Sequence, residues 1–377
     1  MENRPRRYDI DWLRVFAMLA IFLYHCARFF NEEDWHVKNN ELSFGISVGA
    51  DVVGQWTMPL FFTISAISAY YALGHRSTGQ FVRERFKRLV VPLIFGSLVI
   101  IAPLQVWIER VTHGDFSGSF LEFYFPHYFR GFYAFGGNFA WMGLHLWYLG
   151  MLFLFSLITL PLFLRLRGDR MRGSMSRLAF FFSRPGATFL MAIPLVVTGL
   201  LVELQPEGIG MRDFGGWSPL MYLVFFIQGY LVACDPQFRR AIERQRVAAL
   251  VLGVAATLLG AFLLVSETVP SSRHPLLAIL RGCNTWFWLL AILGFGSRYL
   301  GFTNRTLRYS NEAILPFYIM HQTVIVAIGF LIADWSLGVT TKYLILSVSS
   351  FLVTVGIYHL LIKRVKVLRV LFGMRLK

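Results

Sequence analysis

Charge is what this chain has least of. Asp, Glu, Lys and Arg make up 15% of its 377 residues, against about a quarter in a soluble globular protein. The acidic side is the thinner one, with 21 Asp and Glu against 36 Lys and Arg and a formal net charge of +15. That excess raises nucleic acid as a partner, but a basic patch joined to a recognition motif would be needed. The sequence has neither, and no nucleic acid is expected. Cysteine is scarce too. Cys26, Cys234 and Cys283 sit in or at the ends of apolar runs without paired spacing, so neither a disulfide framework nor a zinc site is expected. No metal is expected at all. Internal repeats, low-complexity linkers and a separate soluble domain are also missing.

What remains is apolar. Hydrophobic residues are 56% of the chain, gathered in runs near the 20 or so residues that a spanning helix needs. The fold class is therefore all-α: a polytopic helical membrane protein, residues 1–377 forming one membrane domain. Ten spans are expected, at 10–30, 52–73, 90–110, 142–164, 187–204, 218–234, 247–267, 276–297, 311–333 and 341–363. The start, MENRPRR before an apolar run, has the outline of a signal peptide. The run is too long for one, holds Arg14, and ends in CARFFNEED rather than at a small-residue cleavage site. It reads as a retained span in contact with the lipid bilayer.

Positive charge on short loops marks the cytoplasmic side. With the N-terminus inside, 27 of the 36 Lys and Arg fall on inside segments. They include Arg4, Arg6 and Arg7, the run RERFKR at 83–88, and the tail KRVKVLRVLFGMRLK. Seven fall on or beside outside loops, and Arg14 and Arg281 fall within spans. Both termini are thus expected in the cytoplasm. Of the outside loops, 31–50 holds the acidic cluster Asn31-Glu32-Glu33-Asp34. Residues 111–141 are rich in aromatics and Gly, which suits either an interfacial belt or a lip for sugar rings.

The first span, IDWLRVFAMLAIFLYHCARFF at 10–30, carries the most informative pattern. Ionisable groups inside membrane helices are costly and usually mark a functional path. Arg14 and His25 are eleven residues apart, about three turns, so they share a stripe roughly 16 Å long. Asp11 is placed to pair with Arg14. His25, near the outer leaflet, has the chemistry of a general base near neutral pH; the alternative is an interfacial polar residue. Asp51 and His145 are expected at the same depth. Asp51 can orient the His25 imidazole as a third group, or cap the second helix. On the inside, Arg85 and Arg88 are spaced to offer a paired cationic face to phosphate oxygens, or serve as a plain anchor. Arg281 near Asn284, and His321 with Gln322 in mid-span, complete the candidates. His145, His321 and Arg281 are read as acceptor contacts, although interhelical hydrogen bonding is the leading structural reading of His321. His359 reads as structural.

The chain resembles the membrane-bound acyltransferase-3 family, in its glucan biosynthesis protein C-like branch. The stretch YDIDWLRVFAMLAIFLYH carries the family's Arg–ten residues–His pattern as Arg14 and His25. RERFKRLVVP matches its Arg-x-x-Arg loop as Arg85 and Arg88. VGADVVGQWTMPLFFTISAISAYYAL, HLWYLGMLFLF and ILPFYIMHQTVIV resemble further spans, so the likeness runs the length of the chain. Two features depart from the pattern: TISAIS lacks a glycine often found after the serine, and no esterase-like domain is fused. The resemblance implies transfer of an acyl group, acetyl or succinyl, from cytoplasmic acyl-CoA to a hydroxyl of a sugar or glycan. The reaction would occur at the outer side of a bacterial inner membrane. It implies His25 as the central catalytic residue, with Arg14, Arg85 and Arg88 supporting the donor. A transporter or flippase of an acylated or anionic glycan precursor is the alternative, since intramembrane charge serves transport equally. The sequence leaves the oligomeric state open.

Overall fold

The computed structural model describes residues 6–133, 136–204, 214–266 and 274–375. Arg4, Lys377 and the last residue of the span expected at 247–267 lie outside them. In chain order the helices are α1 (Tyr8–Arg28), α2 (Phe44–Gly54), α3 (Thr57–His75), α4 (Thr78–Arg85), α5 (Val91–Leu98) and α6 (Ile101–Thr112). There follow α7 (Phe120–Phe123), α8 (Trp147–Ile158), α9 (Leu160–Arg167), α10 (Asp169–Phe182), α11 (Ile193–Leu204) and α12 (Pro219–Cys234). The last five are α13 (Pro236–Val265), α14 (Pro275–Tyr299), α15 (Arg305–Ile332), α16 (Val339–Ile357) and α17 (Lys366–Leu371). Among the described residues there is no β-strand, only two isolated bridges.

Among the described residues, seven stretches are long and apolar enough to cross a membrane: Tyr8–Arg28, Phe44–His75, Thr78–Thr112, Pro236–Val265, Pro275–Tyr299, Arg305–Ile332 and Val339–Ile362. Two more reach that length only as bent pairs. Leu144–Ile158 and Leu160–Arg167 meet at 51°, and Asp169–Phe182 and Ala187–Val202 at 113°. Pro161 explains the first bend, because its ring removes a backbone donor and crowds the preceding turn. Pro185 and Gly186 explain the second; Gly186 has φ +79°, a left-handed value natural to glycine. Pro219–Cys234 is apolar but shorter.

Several expected boundaries move. The span expected at 52–73 is two helices, with Phe44 rather than Asp51 at the start. Asp51 therefore lies inside α2 as an exposed residue, and its reading as that helix's N-cap is wrong. A wider turn of the helix, Phe86–Val90, begins right after Arg85 and contains Arg88, so the two are not on a regular i, i+3 face.

Backbone contacts group the chain into two units. The first comprises Met1–Ala17, Gly54–Phe81 and Phe155–Leu307. Its long helices start alike, with a capping side chain followed by proline. Ser218 caps α12, Asp235 caps α13 and His274 caps α14, each accepting from the backbone N–H two residues on. Proline fits the next position because that N–H has no helical partner to lose. Within this unit α12 packs on α3 at a glycine: a Cβ on Gly229 would lie 2.3 Å from the Thr63 carbonyl oxygen. Small residues permit such close helix contacts in membranes. Gly229→Ala is expected to destabilise the protein by about 1–3 kcal/mol, as overpacking does, despite alanine's better helix propensity. An unchanged midpoint in thermal unfolding of the purified variant would refute this packing.

The second unit comprises Met18–Val53, Val82–Leu154 and Arg308–Lys377. Its aromatic segment after α6 is folded rather than splayed. Phe123, Tyr128 and Ala140 are buried with Ala102 and Val106 of α6, and Phe116, Tyr124 and Phe139 pack around them. The Tyr128 hydroxyl donates to the Ser97 carbonyl at 2.6 Å, and the Tyr124 hydroxyl to that of Leu98 at 2.7 Å. Phe125, Phe129, Phe132 and Trp141 stay exposed. The aromatics thus divide between a small core and a surface.

Candidate active site

Three histidines from three helical segments of the second unit meet. The His25 and His321 rings lie 5.2 Å apart, His145 and His321 5.3 Å, and His25 and His145 6.4 Å, centroid to centroid. His25 comes from α1. His145 comes from the short turn Leu144–Leu146, which Gly143 launches at φ +70°, and His321 comes from the middle of α15. Apolar rings seat them: Phe317 stacks on His321 at 5.9 Å and Trp35 on His25 at 6.5 Å. Among the described residues no three His, Cys, Asp or Glu side chains are placed to share a metal ion.

The hydrogen bonds assign the tautomers. The backbone carbonyl of Tyr318 can only accept, so His321 Nδ1, 2.7 Å away, carries a proton. In the neutral ring that leaves Nε2 with a lone pair. His321 Nε2 is buried and has no hydrogen-bond partner among the described residues, and the same holds for His25 Nδ1. His145 Nε2 donates to the carbonyls of Tyr318 and Ile319, each at 3.2 Å, so its Nδ1 is the acceptor, 3.5 Å from the Gln105 amide nitrogen. The Tyr318 hydroxyl returns a bond to the His145 carbonyl. Buried polar groups are nearly always paired. Among the described residues, two imidazole nitrogens of this one cluster are exceptions.

A second polar group lies in the same unit. Gln105 donates to Thr323 Oγ1 at 2.7 Å, and its oxygen accepts from Gln322 Nε2 at 2.9 Å. Gln322 Nε2 also lies 3.3 Å from His36 Nε2. An amide nitrogen only donates, so His36 carries its proton on Nδ1, which donates to Glu109. Glu109 accepts a second bond from the Tyr133 hydroxyl at 2.6 Å. Burial, and then the Glu109 charge, push the Tyr133 phenol above its ordinary value, which keeps it a donor. Gln105 and Glu109, four residues apart on α6, share one helix face. That pair of polar residues inside an apolar span was the available signal for this group, and the sequence reading passed over it together with His36.

The loop after α1 sets His36 in place. The Lys38 ammonium donates to the carbonyls of Arg28 at 2.6 Å and Glu33 at 2.9 Å, and to Asn31 Oδ1 at 3.0 Å. It thereby closes the end of α1. Lys38 itself is half-buried; Lys342, which is buried, donates to Asn39 Oδ1 at 2.8 Å. Burial pushes the Lys38 amine down to about 8 from 10.5, with Arg28 acting in the same direction. Between those pH values the folded chain binds fewer protons at this site than the unfolded chain. Its contribution to stability therefore rises with pH across that window. The stability difference between wild type and Lys38→Met is expected to grow from pH 8 to pH 10, as read by melting at each pH. A flat difference would refute the shift.

The other expected site residues fall as follows. Arg14, in the first unit, is half-buried, 2.7 Å from Ser68 Oγ and 3.4 Å from the Asp11 carboxylate. The predicted Asp11–Arg14 pair is present. Arg281, also in the first unit, lies 4.0 Å over the Trp217 ring and donates to the Gly216 carbonyl. It belongs to a different group of side chains from the histidines. Arg85 is half-buried and Arg88 exposed. A carboxylate–histidine pair that was not expected, Glu109 with His36, is present.

An all-helical, multi-span membrane protein with a trio of histidines, His145 and His321 buried and His25 half-buried, is the class these observations define. The model of the acyltransferase-3 family, described as an acyltransferase domain, matches residues 7–359, and the chain belongs to that family. It is a membrane acyltransferase. Glucans biosynthesis protein C of Escherichia coli (strain SMS-3-5 / SECEC) is 23% identical over 333 residues, 86% of this chain and 83% of that protein. Proteins of the same name from Shigella dysenteriae serotype 1 (strain Sd197) and Escherichia coli (strain K12) are 22% identical over the same shares. No solved structure matches the chain.

Proposed function

We propose that the chain is an O-acyltransferase of the bacterial inner membrane. It takes an acetyl or succinyl group from cytoplasmic acyl-CoA and passes it to a hydroxyl of a glycan at the outer side. The observation that carries this reading is the pair of unpaired imidazole nitrogens on His25 and His321, a proton acceptor held away from water. The glucan-related name of the relatives supports a glycan acceptor. The seven long helices, the two bent pairs and Pro219–Cys234 can be threaded as ten crossings of a single acyltransferase domain. Combined with the basic inside segments, that threading favours both termini in the cytoplasm.

In this mechanism His25 takes the proton of the acceptor hydroxyl as its oxygen attacks the thioester carbonyl. The tetrahedral intermediate collapses, the C–S bond breaks, and the departing CoA thiolate recovers the proton from the His25 imidazolium. His145 and His321 flank the reacting hydroxyl. Arg14, Arg85 and Arg88 take the phosphates of the donor, because guanidinium forks match phosphate oxygens. Arg14 lies on the same helix as His25, roughly 16 Å earlier by helix rise, a distance that suits the extended pantetheine arm. Asp51 is the candidate for orienting the His25 imidazole as a third group.

The test supplies membranes containing the protein with radiolabelled short acyl-CoAs and follows label into glycan-sized acceptors. Wild type is expected to transfer label from one donor, and Arg14→Ala to need a several-fold higher donor concentration for half-maximal rate. Failure of wild type to transfer from any acyl-CoA would overturn the reading and favour transport.

A further inference from the structure

A guanidinium-lined cleft at the start of α13 takes no part in this chemistry. The cavity, ≈ 550 Å³, lies in the first unit and is walled by Arg240, Arg244, Arg246 and Arg298, with Ser183 and Glu243 also lining it. Glu243 is already engaged, accepting from Ser297 Oγ at 2.9 Å and lying 3.7 Å from Arg298. Arg246 lies beside two aromatic rings, its guanidinium 5.7 Å from the centroid of Phe295 and 5.9 Å from that of Tyr299. Its Nε is buried and without a hydrogen-bond partner among the described residues. The cleft is thus strongly cationic, shaped, and only partly satisfied from within. All four of its cations are arginine, the side chain whose fork suits phosphate oxygens.

The cleft continues into an apolar track. Arg240, Arg244, Val247, Val251, Val254 and Leu258 follow one another at three- or four-residue spacing, so they share one face of α13, and all are exposed. Only 17% of the apolar window of this helix is buried, so its outer face meets lipid. From Val247 to Leu258 the track is roughly 16 Å long by helix rise, about the depth of one leaflet's hydrocarbon. A plain positive-inside anchor would require charge but no cleft, no guanidinium with a buried, unpartnered Nε and no track.

We propose that this cleft and track bind one anionic phospholipid of the surrounding bilayer. The phosphodiester headgroup sits among Arg240, Arg244 and Arg246, and an acyl chain lies along Val247 to Leu258. Phosphate chemistry is shared with the nucleotide end of CoA. The lipid is favoured because the apolar track begins within a turn of Arg244, and a nucleotide has no chain to lay on it.

The experiment purifies the full chain into phosphatidylcholine nanodiscs, adds phosphatidylglycerol, and counts retained lipid by native mass spectrometry after release into detergent. Wild type is expected to retain phosphatidylglycerol over phosphatidylcholine by about tenfold or more, given the attraction of basic residues for anionic lipid. The double variant Arg240→Gln/Arg244→Gln is expected to lose that preference, and Arg240→Lys/Arg244→Lys to keep part of it. Both side chains are exposed, and an unshifted melting midpoint checks that the fold is intact. Equal retention of the two lipids by wild type, or an undiminished preference in the glutamine variant, overturns the proposal. Displacement of phosphatidylglycerol by free CoA would overturn it in favour of a nucleotide-phosphate site. None of these readouts depends on acyl transfer, so the proposal stands or falls apart from the catalytic reading.

Discussion

Replacing His25 by alanine is expected to lower acyl transfer by at least about 100-fold, the lower end of what a positioned general base supplies. The effect should fall on turnover rather than on donor affinity, because the imidazole acts when the hydroxyl proton moves. His321→Ala should cost activity as well, and His321→Gln should not rescue it, since an amide offers no basic nitrogen. The measurement is the rate of label transfer at saturating donor, with expression and melting of each variant compared with wild type. Transfer by His25→Ala at the wild-type rate would remove His25 from the chemistry and leave His321, whose Nε2 lone pair is fixed by its bond to Tyr318, as the base.

Glu109→Ala should be the most damaging change to stability. Its carboxylate lies between the His36 imidazole and the Tyr133 hydroxyl, and only about 10% of the Glu109 and His36 side chains is exposed. Removing one partner of a buried, hydrogen-bonded pair typically costs about 3–5 kcal/mol, because the groups left behind are unpaired. Glu109→Gln keeps acceptor oxygen and should cost less. A falling midpoint in the order wild type, glutamine, alanine is the expected result; equal midpoints would show that the pair contributes nothing. Through His36 and Gln322, the loss should also loosen Gln105 and with it the acceptor side of His145. Transfer activity should therefore drop even in membranes kept at low temperature.

The stripe on α1 was legible before any coordinates, because an uninterrupted helix has a fixed period and Arg14 and His25 are eleven residues apart. His321 could be flagged by its depth in an apolar run. Neither the meeting of His321 with His25 nor the place of His145 could be read that way. These residues are separated by more than a hundred positions, and their approach depends on how α1, α15 and the turn after Gly143 pack. Asp51 shows the converse error. It looked like a cap because Asp is favoured at helix starts, yet the helix already starts at Phe44.

From the sequence alone came the membrane class, the approximate spans, the charge asymmetry and the Arg14–His25 pattern. Each follows from local rules: hydrocarbon thickness sets the length of a run, and helix period sets its faces. The tertiary structure decided which histidines share a site, which of their nitrogens are left without a partner, and which carboxylate pairs with which imidazole. It also placed Arg281 over Trp217 and folded much of the aromatic loop into a small core. These outcomes depend on side-chain packing between distant segments, where a shift of a few ångströms makes or breaks a hydrogen bond and no local periodicity records the result.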